Sequence, residues 1–292
     1  MRRLLLPLLC LVLAGPSTAA AAAKPPQHVF VIVLENENAD TTFGPASPAP
    51  YLAGTLRSQG AFVPDYYGIG HNSLDNYLAM VSGQAPTADT QADCPVFTDV
   101  LPGLPAPDGQ VTGQGCVYPA SVKTVADQLE ARGLAWKGYM EDMGNDPARD
   151  NGTTCAHPAI GTPDRTQQAS ATDQYATRHN PFVYFHAIID RPACAQRDVP
   201  LSGLSGDLAS AKTTPNLSFI VPDLCHDGHD ATCADGGPGG GRTGAVLLSP
   251  AITPGTTLTP AYNHYSLLRS LEDWFGLAAL GYASRADAFT VR

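Results

Sequence analysis

Glu35 and Asn36 stand directly after the apolar run "QHVFVIVL" at 27–34, so a carboxylate and an amide oxygen sit where a strand ends. Both are hard oxygen donors suited to Mg²⁺, Ca²⁺ or Mn²⁺, although Asn and Asp also gather in turns for local hydrogen-bonding reasons. Ser73, in "GIGHNSLDNYLAM", follows two glycines and opens a helical run. As an N-cap its hydroxyl would accept a backbone N–H; as a nucleophile it would use the free amides and the helix dipole to stabilise a phosphoryl group and an alkoxide. The loop "PDLCHDGHD" places Asp223, His226, Asp227, His229 and Asp230 within eight residues, a density of imidazole and carboxylate that suits a metal or phosphate site. His264, in "YNHYSLLRSLED", begins the last helix, and its spacing alone reads as structural.

Elements must exist to position these groups. The run 27–34 has the near-continuous apolar, β-branched character of a buried parallel strand, and its polar sequel "ENENADTTFG" falls where ligand crevices form in open α/β sheets. A helix is expected over 50–59, a strand at "AFVPDYY" and a second helix over 73–82, which is β-α-β-α order. Residues 84–121, rich in Pro, Gly, Asp and Thr, read as a long surface excursion. "SVKTVADQLEARG" is an amphipathic helix stopped by Gly133, "LAWKGYM" a strand, and 143–178 is loop-rich. "PFVYFHAII" is apolar but too short to assign by periodicity. Then "DLASAKTTP" ends a helix, "NLSFIVP" and "AVLLSP" are strands, and "YNHYSLLRSLEDWFGL" is a closing helix with Leu267, Leu268, Leu271, Trp274 and Phe275 inward. The expected fold is a three-layer α/β/α sandwich around a central, mostly parallel sheet, built as a single domain over 24–292.

The first 23 residues give two arginines, an apolar run near Leu4–Ala14 and then small residues, the form of a secretory signal peptide. The run is too short for a permanent membrane anchor, and the expectation is a secreted chain, extracellular or periplasmic. Beyond it lie six cysteines, Cys94, Cys116, Cys155, Cys194, Cys225 and Cys233. Disulfides are expected, with neighbours in sequence paired as the simplest of about fifteen connectivities, and no zinc-finger spacing is present. A formal charge of −10 with 17 lysines and arginines argues against a nucleic-acid surface, so a phosphate-bearing partner must be held by local groups.

Taken in order, "HVFVIVLENENADTTFG", "GIGHNSLDNYLAMVSGQ", "NLSFIVPDLCHDGHD" and "YNHYSLLRSLEDWFGL" resemble the bacterial secreted phosphoesterases of acid phosphatase and phospholipase C type, within the alkaline phosphatase superfamily. The likeness covers most of the chain beyond the leader. It is strongest to short secreted acid phosphatases, some described as acting on phosphoinositides. The resemblance implies a central sheet between helical layers, a divalent ion (Mg, Ca, Mn, Zn or Fe) on Glu35 and Asn36, and Ser73 as nucleophile and metal contact. It also implies Asp223 as a further ligand, His71, Asn76 and His229 as phosphate donors, and His226 and His264 as catalytic groups that protonate the leaving oxygen.

One departure stands out. Family members carry, after the "HDGHD" block, a helix and a strand ending in paired carboxylates that complete the metal site, whereas this chain runs from "CADGGPG" straight into "GGRTGAVLLSP". The expected consequences are fewer metal ligands, a sheet lacking one strand, and an exposed or fused strand edge. The leading function is metal-dependent hydrolysis of a phosphate ester on a small substrate or phospholipid headgroup. The alternatives are a phospholipase C-type phosphodiesterase, a Ser-His-Asp esterase that ignores chelators, and an inactive relative that binds phosphorylated ligands.

Overall fold

The apolar run becomes β1 (Val29–Ile32), and "AFVPDYY" becomes β2 (Ala61–Tyr67). Helix α1 (Ser73–Ser82) follows, then α2 (Val125–Ala131), β3 (Trp136–Met140), β4 (Asp198–Pro200), β5 (Leu217–Val221), β6 (Arg242–Leu247), β7 (Thr256–Thr257), β8 (Tyr262–Asn263) and α3 (His264–Phe275). This computed structural model describes residues 25–170, 172–224, 226–228 and 242–290. The expected signal peptide, Cys225 and Cys233 with their pairing, His229, Asp230 and the glycine-rich stretch 236–241 lie outside the described residues.

Strands β1, β5, β3 and β4 form a sheet in the order β1-β5-β3-β4, and every pair in it is parallel. Helices pack on it, giving an α/β sandwich. Strand β2 lies outside that sheet. It pairs antiparallel with β6 and parallel with β7 and β8 in a second sheet. Strand β1 is therefore an edge rather than the buried strand its composition implies: Phe30 and Ile32 are 44% and 62% exposed, and Leu34 just beyond it is 50% exposed. Phe30, Ile32 and Leu34 alternate onto one face of the strand, which the described residues leave largely open.

The other elements follow their local chemistry. Thr124 and Asp127 form a reciprocal capping box that starts α2, and Gly133 takes φ +70 just past its end. The stretch 50–59 is helical but wound as a π-turn over Tyr51–Leu56 before one α-turn. "PFVYFHAII" resolves into a 3₁₀ turn, Pro181–Tyr184, and a short helix, His186–Ile189. Phe182, Val183, Tyr184 and Phe185 are all fully buried. Disulfides Cys94–Cys116 and Cys155–Cys194 tie down the two loop-rich excursions. Among the described residues no helix is long and apolar enough to cross a membrane.

The core gathers around α1. Every residue of this helix except Asn76 is buried, and Leu74, Tyr77, Leu78 and Val81 share one cluster with Val125, Leu129, Trp136, Phe182, Phe219, Leu268 and Leu271. A helix wrapped on all sides has no freedom to tilt, so its first residue is fixed in space. Leu78→Ala leaves a cavity in this cluster, and the expected loss is about 2–5 kcal/mol, read from the urea midpoint. Two core carboxylates add a pH dependence. Burial pushes Asp198 and Glu272 up to about 7 from ordinary values of 3.8 and 4.5. An acid raised in the folded state contributes its stability below its unfolded pKa and loses it as pH rises through the folded one. The unfolding midpoint should therefore fall between pH 5 and 7.5, and Asp198→Asn with Glu272→Gln should flatten that decline; an unchanged slope in the double variant would refute the assignment.

Candidate active site

The carboxyl edge of the parallel sheet delivers the polar groups. Glu35 leaves the end of β1, Glu141 follows β3, and Asp223, His226 and Asp227 follow β5, as ligand crevices form in open α/β sheets. The Glu35 amide donates to the Asp227 carbonyl at 2.8 Å, which binds the β1 exit to the loop after β5.

Ser73 is the first residue of α1, not its N-cap. That position belongs to Asn72, whose backbone is extended at φ −90, ψ 175 and whose side chain caps nothing. Asn72 instead reaches the Gln91 carbonyl. Freed from capping, the Ser73 hydroxyl donates to Glu35 Oε1 at 2.9 Å and lies 3.1 Å from His179 Nε2. His179 Nε2 is 2.8 Å from the same Glu35 oxygen, so three heteroatoms make a nearly equilateral triangle. His179 Nδ1 faces Asp227 Oδ2 at 3.6 Å.

His179 is held from several directions. Its ring stacks on Tyr77 with centroids 5.1 Å apart and planes 9° apart. Tyr77 lies one turn along α1 from Ser73, so one helix face presents both the hydroxyl and the platform for the imidazole. Next in the chain, Asn180 donates to Asp198 Oδ2 at 2.7 Å and to the Tyr175 hydroxyl at 3.0 Å, pinning the backbone that carries His179. Sequence reasoning missed His179. Its signal was a polar His-Asn pair set against the buried run that begins at Pro181.

The remaining expected groups are distributed around this centre. Asn36 adjoins Glu35 and is partly buried. His264 accepts a hydrogen bond at Nδ1 from the Tyr66 hydroxyl, 2.8 Å away. Burial raises the Tyr66 phenol and holds the His264 imidazole down at about 4, so Tyr66 keeps its proton and donates it, leaving His264 neutral with Nε2–H as a donor. Asp223 and His226 join Glu141 in a separate cluster, with His226 Nδ1 at 3.1 Å from Glu141 Oε1 and 3.2 Å from Asp223 Oδ2. His226 is 67% exposed, and the charges of Asp223 and then Glu141 raise its pKa.

The structure also places two of the expected phosphate donors. Asn76 is spent on its own loop, accepting from the Ile69 and Gly70 amides and donating to the Gly70 and Asn72 carbonyls. His71 is exposed. The amides at the head of α1 are also not all open, because Asp93 Oδ1 accepts from the Leu74 N–H at 2.9 Å.

The donor set fits a divalent ion. Octahedral ligands about 2.1 Å from a metal stand about 3.0 Å apart, and the three edges of the triangle measure 2.8, 2.9 and 3.1 Å. Glu35, His179 and Asp227 also bring ligand atoms within 4.8 Å of one another.

Comparison with known proteins matches this architecture. The model of the Phosphoesterase family aligns with residues 47–238, a span that contains Ser73, His179 and Asp227. A phosphatidylinositol-3-phosphatase of Mycobacterium tuberculosis is 24% identical over 95% of this chain and 87% of its own length. A phosphate-repressible acid phosphatase of Penicillium chrysogenum is 25% identical over 86% of this chain, and an acid phosphatase of Aspergillus fumigatus 23% over 77%. The chain spans 59% and 51% of those two fungal proteins. With two thirds of its length in register with the family model and a serine, a histidine and carboxylates converging at one sheet edge, the chain belongs to the phosphoesterase family and is a phosphatase or phosphoesterase.

Proposed function

We propose that this protein hydrolyses phosphate monoesters with Ser73 as the nucleophile and a divalent ion at the Glu35 end of β1. The observation that carries the proposal is the Ser73 hydroxyl, held between Glu35 Oε1 and His179 Nε2 at the head of a buried helix. Its O–H already points at Glu35 Oε1, so the proton leaves along that bond as Oγ attacks phosphorus and the ester oxygen departs on the opposite side. The neutral His264 Nε2–H stabilises the departing oxygen, with Tyr66 fixing its tautomer. Water then cleaves the phosphoserine. A bound divalent ion would share the negative charge on Oγ and on the phosphoryl oxygens. Glu35 and Ser73 would hold it, with Asn36 adjoining. The substrate is a small phosphorylated molecule or a phospholipid headgroup, and the mycobacterial relative favours a phosphoinositide. Two disulfides support a place outside the cytoplasm.

A second reading has one observation in its favour. Ser73, His179 and Asp227 stand in the order of a Ser-His-Asp triad, which needs no metal. Against it, 3.6 Å is long for the His–Asp hydrogen bond, and the serine proton is directed at Glu35.

Ser73→Ala should reduce turnover of an aryl phosphate by about three orders of magnitude while the thermal midpoint stays within a few degrees. Unchanged turnover would refute Ser73 as nucleophile. Chelation of the wild-type chain should abolish aryl phosphate hydrolysis, with activity restored on adding a divalent metal. Full activity on an aryl carboxylic ester in chelator would instead establish the triad reading.

A further inference from the structure

Resting on the metal-assisted reading above, we infer that His179 is a metal ligand of this chain, oriented by Asp227, and that the site therefore selects a transition-metal dication over Mg²⁺ or Ca²⁺. The triangle of Glu35 Oε1, Ser73 Oγ and His179 Nε2 is closed here by hydrogen bonds, and its edges also match one face of an octahedron, which puts the imidazole where a third metal ligand would stand. An imidazole corner favours Zn²⁺, Fe²⁺ or Co²⁺, because Mg²⁺ and Ca²⁺ take hard oxygen donors.

Asp227 completes the arrangement from behind. Ligating histidines commonly direct their second ring nitrogen to a carboxylate, which fixes the tautomer and raises the basicity of the nitrogen on the metal. His179 presents Nε2 to the triangle and turns Nδ1 toward Asp227 Oδ2 at 3.6 Å, a charge contact longer than a hydrogen bond, and both side chains are almost wholly buried. Through its backbone carbonyl, Asp227 also receives the Glu35 amide. One residue thus orients two corners of the triangle, and a change in its position moves both.

The test strips the full-length protein with chelator and dialyses it against equimolar Zn²⁺, Co²⁺, Mn²⁺, Mg²⁺ and Ca²⁺. Bound metal is counted by elemental analysis and affinity measured by competition titration. One transition-metal ion per chain should be retained in millimolar Mg²⁺. His179→Ala should weaken Zn²⁺ binding by about 100-fold or more, and Asp227→Asn by about 10- to 100-fold. Should His179→Ala fail to fold, the Co²⁺-loaded His226→Ala protein still decides, since with the rival histidine removed a ligating His179 gives a strongly shifted, exchangeable Nδ1–H proton resonance. No such resonance, equal retention of Mg²⁺, or unchanged Zn²⁺ affinity in folded His179→Ala would each overturn the inference. So would loss of the ion on His226→Ala instead, which would place it on Glu141, Asp223 and His226. Aryl phosphate turnover is measured separately: metal bound through His179 without Ser73-dependent turnover would refute the phosphatase reading and leave this one standing.

Discussion

The hydrogen bond from the Glu35 amide to the Asp227 carbonyl is the constraint on which the site depends. It joins the exit of the first strand to the loop after β5, and so sets the carboxylate of one against the imidazole partner of the other. Everything else at the centre is arranged around that junction. The buried α1 brings Ser73 to Glu35 and Tyr77 beneath His179, while Asn180 and Asp198 secure the backbone behind the ring. The Ser73 hydroxyl thus has a carboxylate and an imidazole within hydrogen-bonding reach and a buried helix behind it.

Much of this was legible in the sequence because the cues were local. A β-branched run ending in Glu-Asn announces a strand end with oxygen donors, and a serine after two glycines announces a helix start. What the sequence left open was geometry beyond one element. Ser73 reads as a cap because serine is a good one, yet Asn72 takes the cap position and Ser73 turns inward. Asn76 reads as a phosphate donor one turn further on, but its amide is consumed by the loop it closes. His179 went unseen because its importance comes from Tyr77, Asp227 and Glu35, which are distant in the chain and have no fixed spacing from it.

The sheet shows the same division. Apolar runs identified β1, β2, β3, β5 and β6 as strands. Partner choice is a different matter, since a strand's neighbours are set by what else the chain can offer. Strand β2 found an antiparallel neighbour in β6, and β1 became an edge with Phe30 and Ile32 turned to solvent. Composition alone reads such a run as central, because composition does not distinguish a strand covered on both sides from one that has lost a neighbour.

The pairing of β1 with β5 also has a consequence for how the protein comes into being. Contacts at that junction join residues 187 and 189 apart in sequence, His28 with Pro215 and Gln27 with Asn216. Contacts of such long range are slow to form, because the entropy of closing a long loop is spent before the contact rewards it. The junction at the candidate site therefore needs both ends of that span: a chain that still lacks the residues around β5 has β1 and α1 but not the loop that carries Asp223 and Asp227.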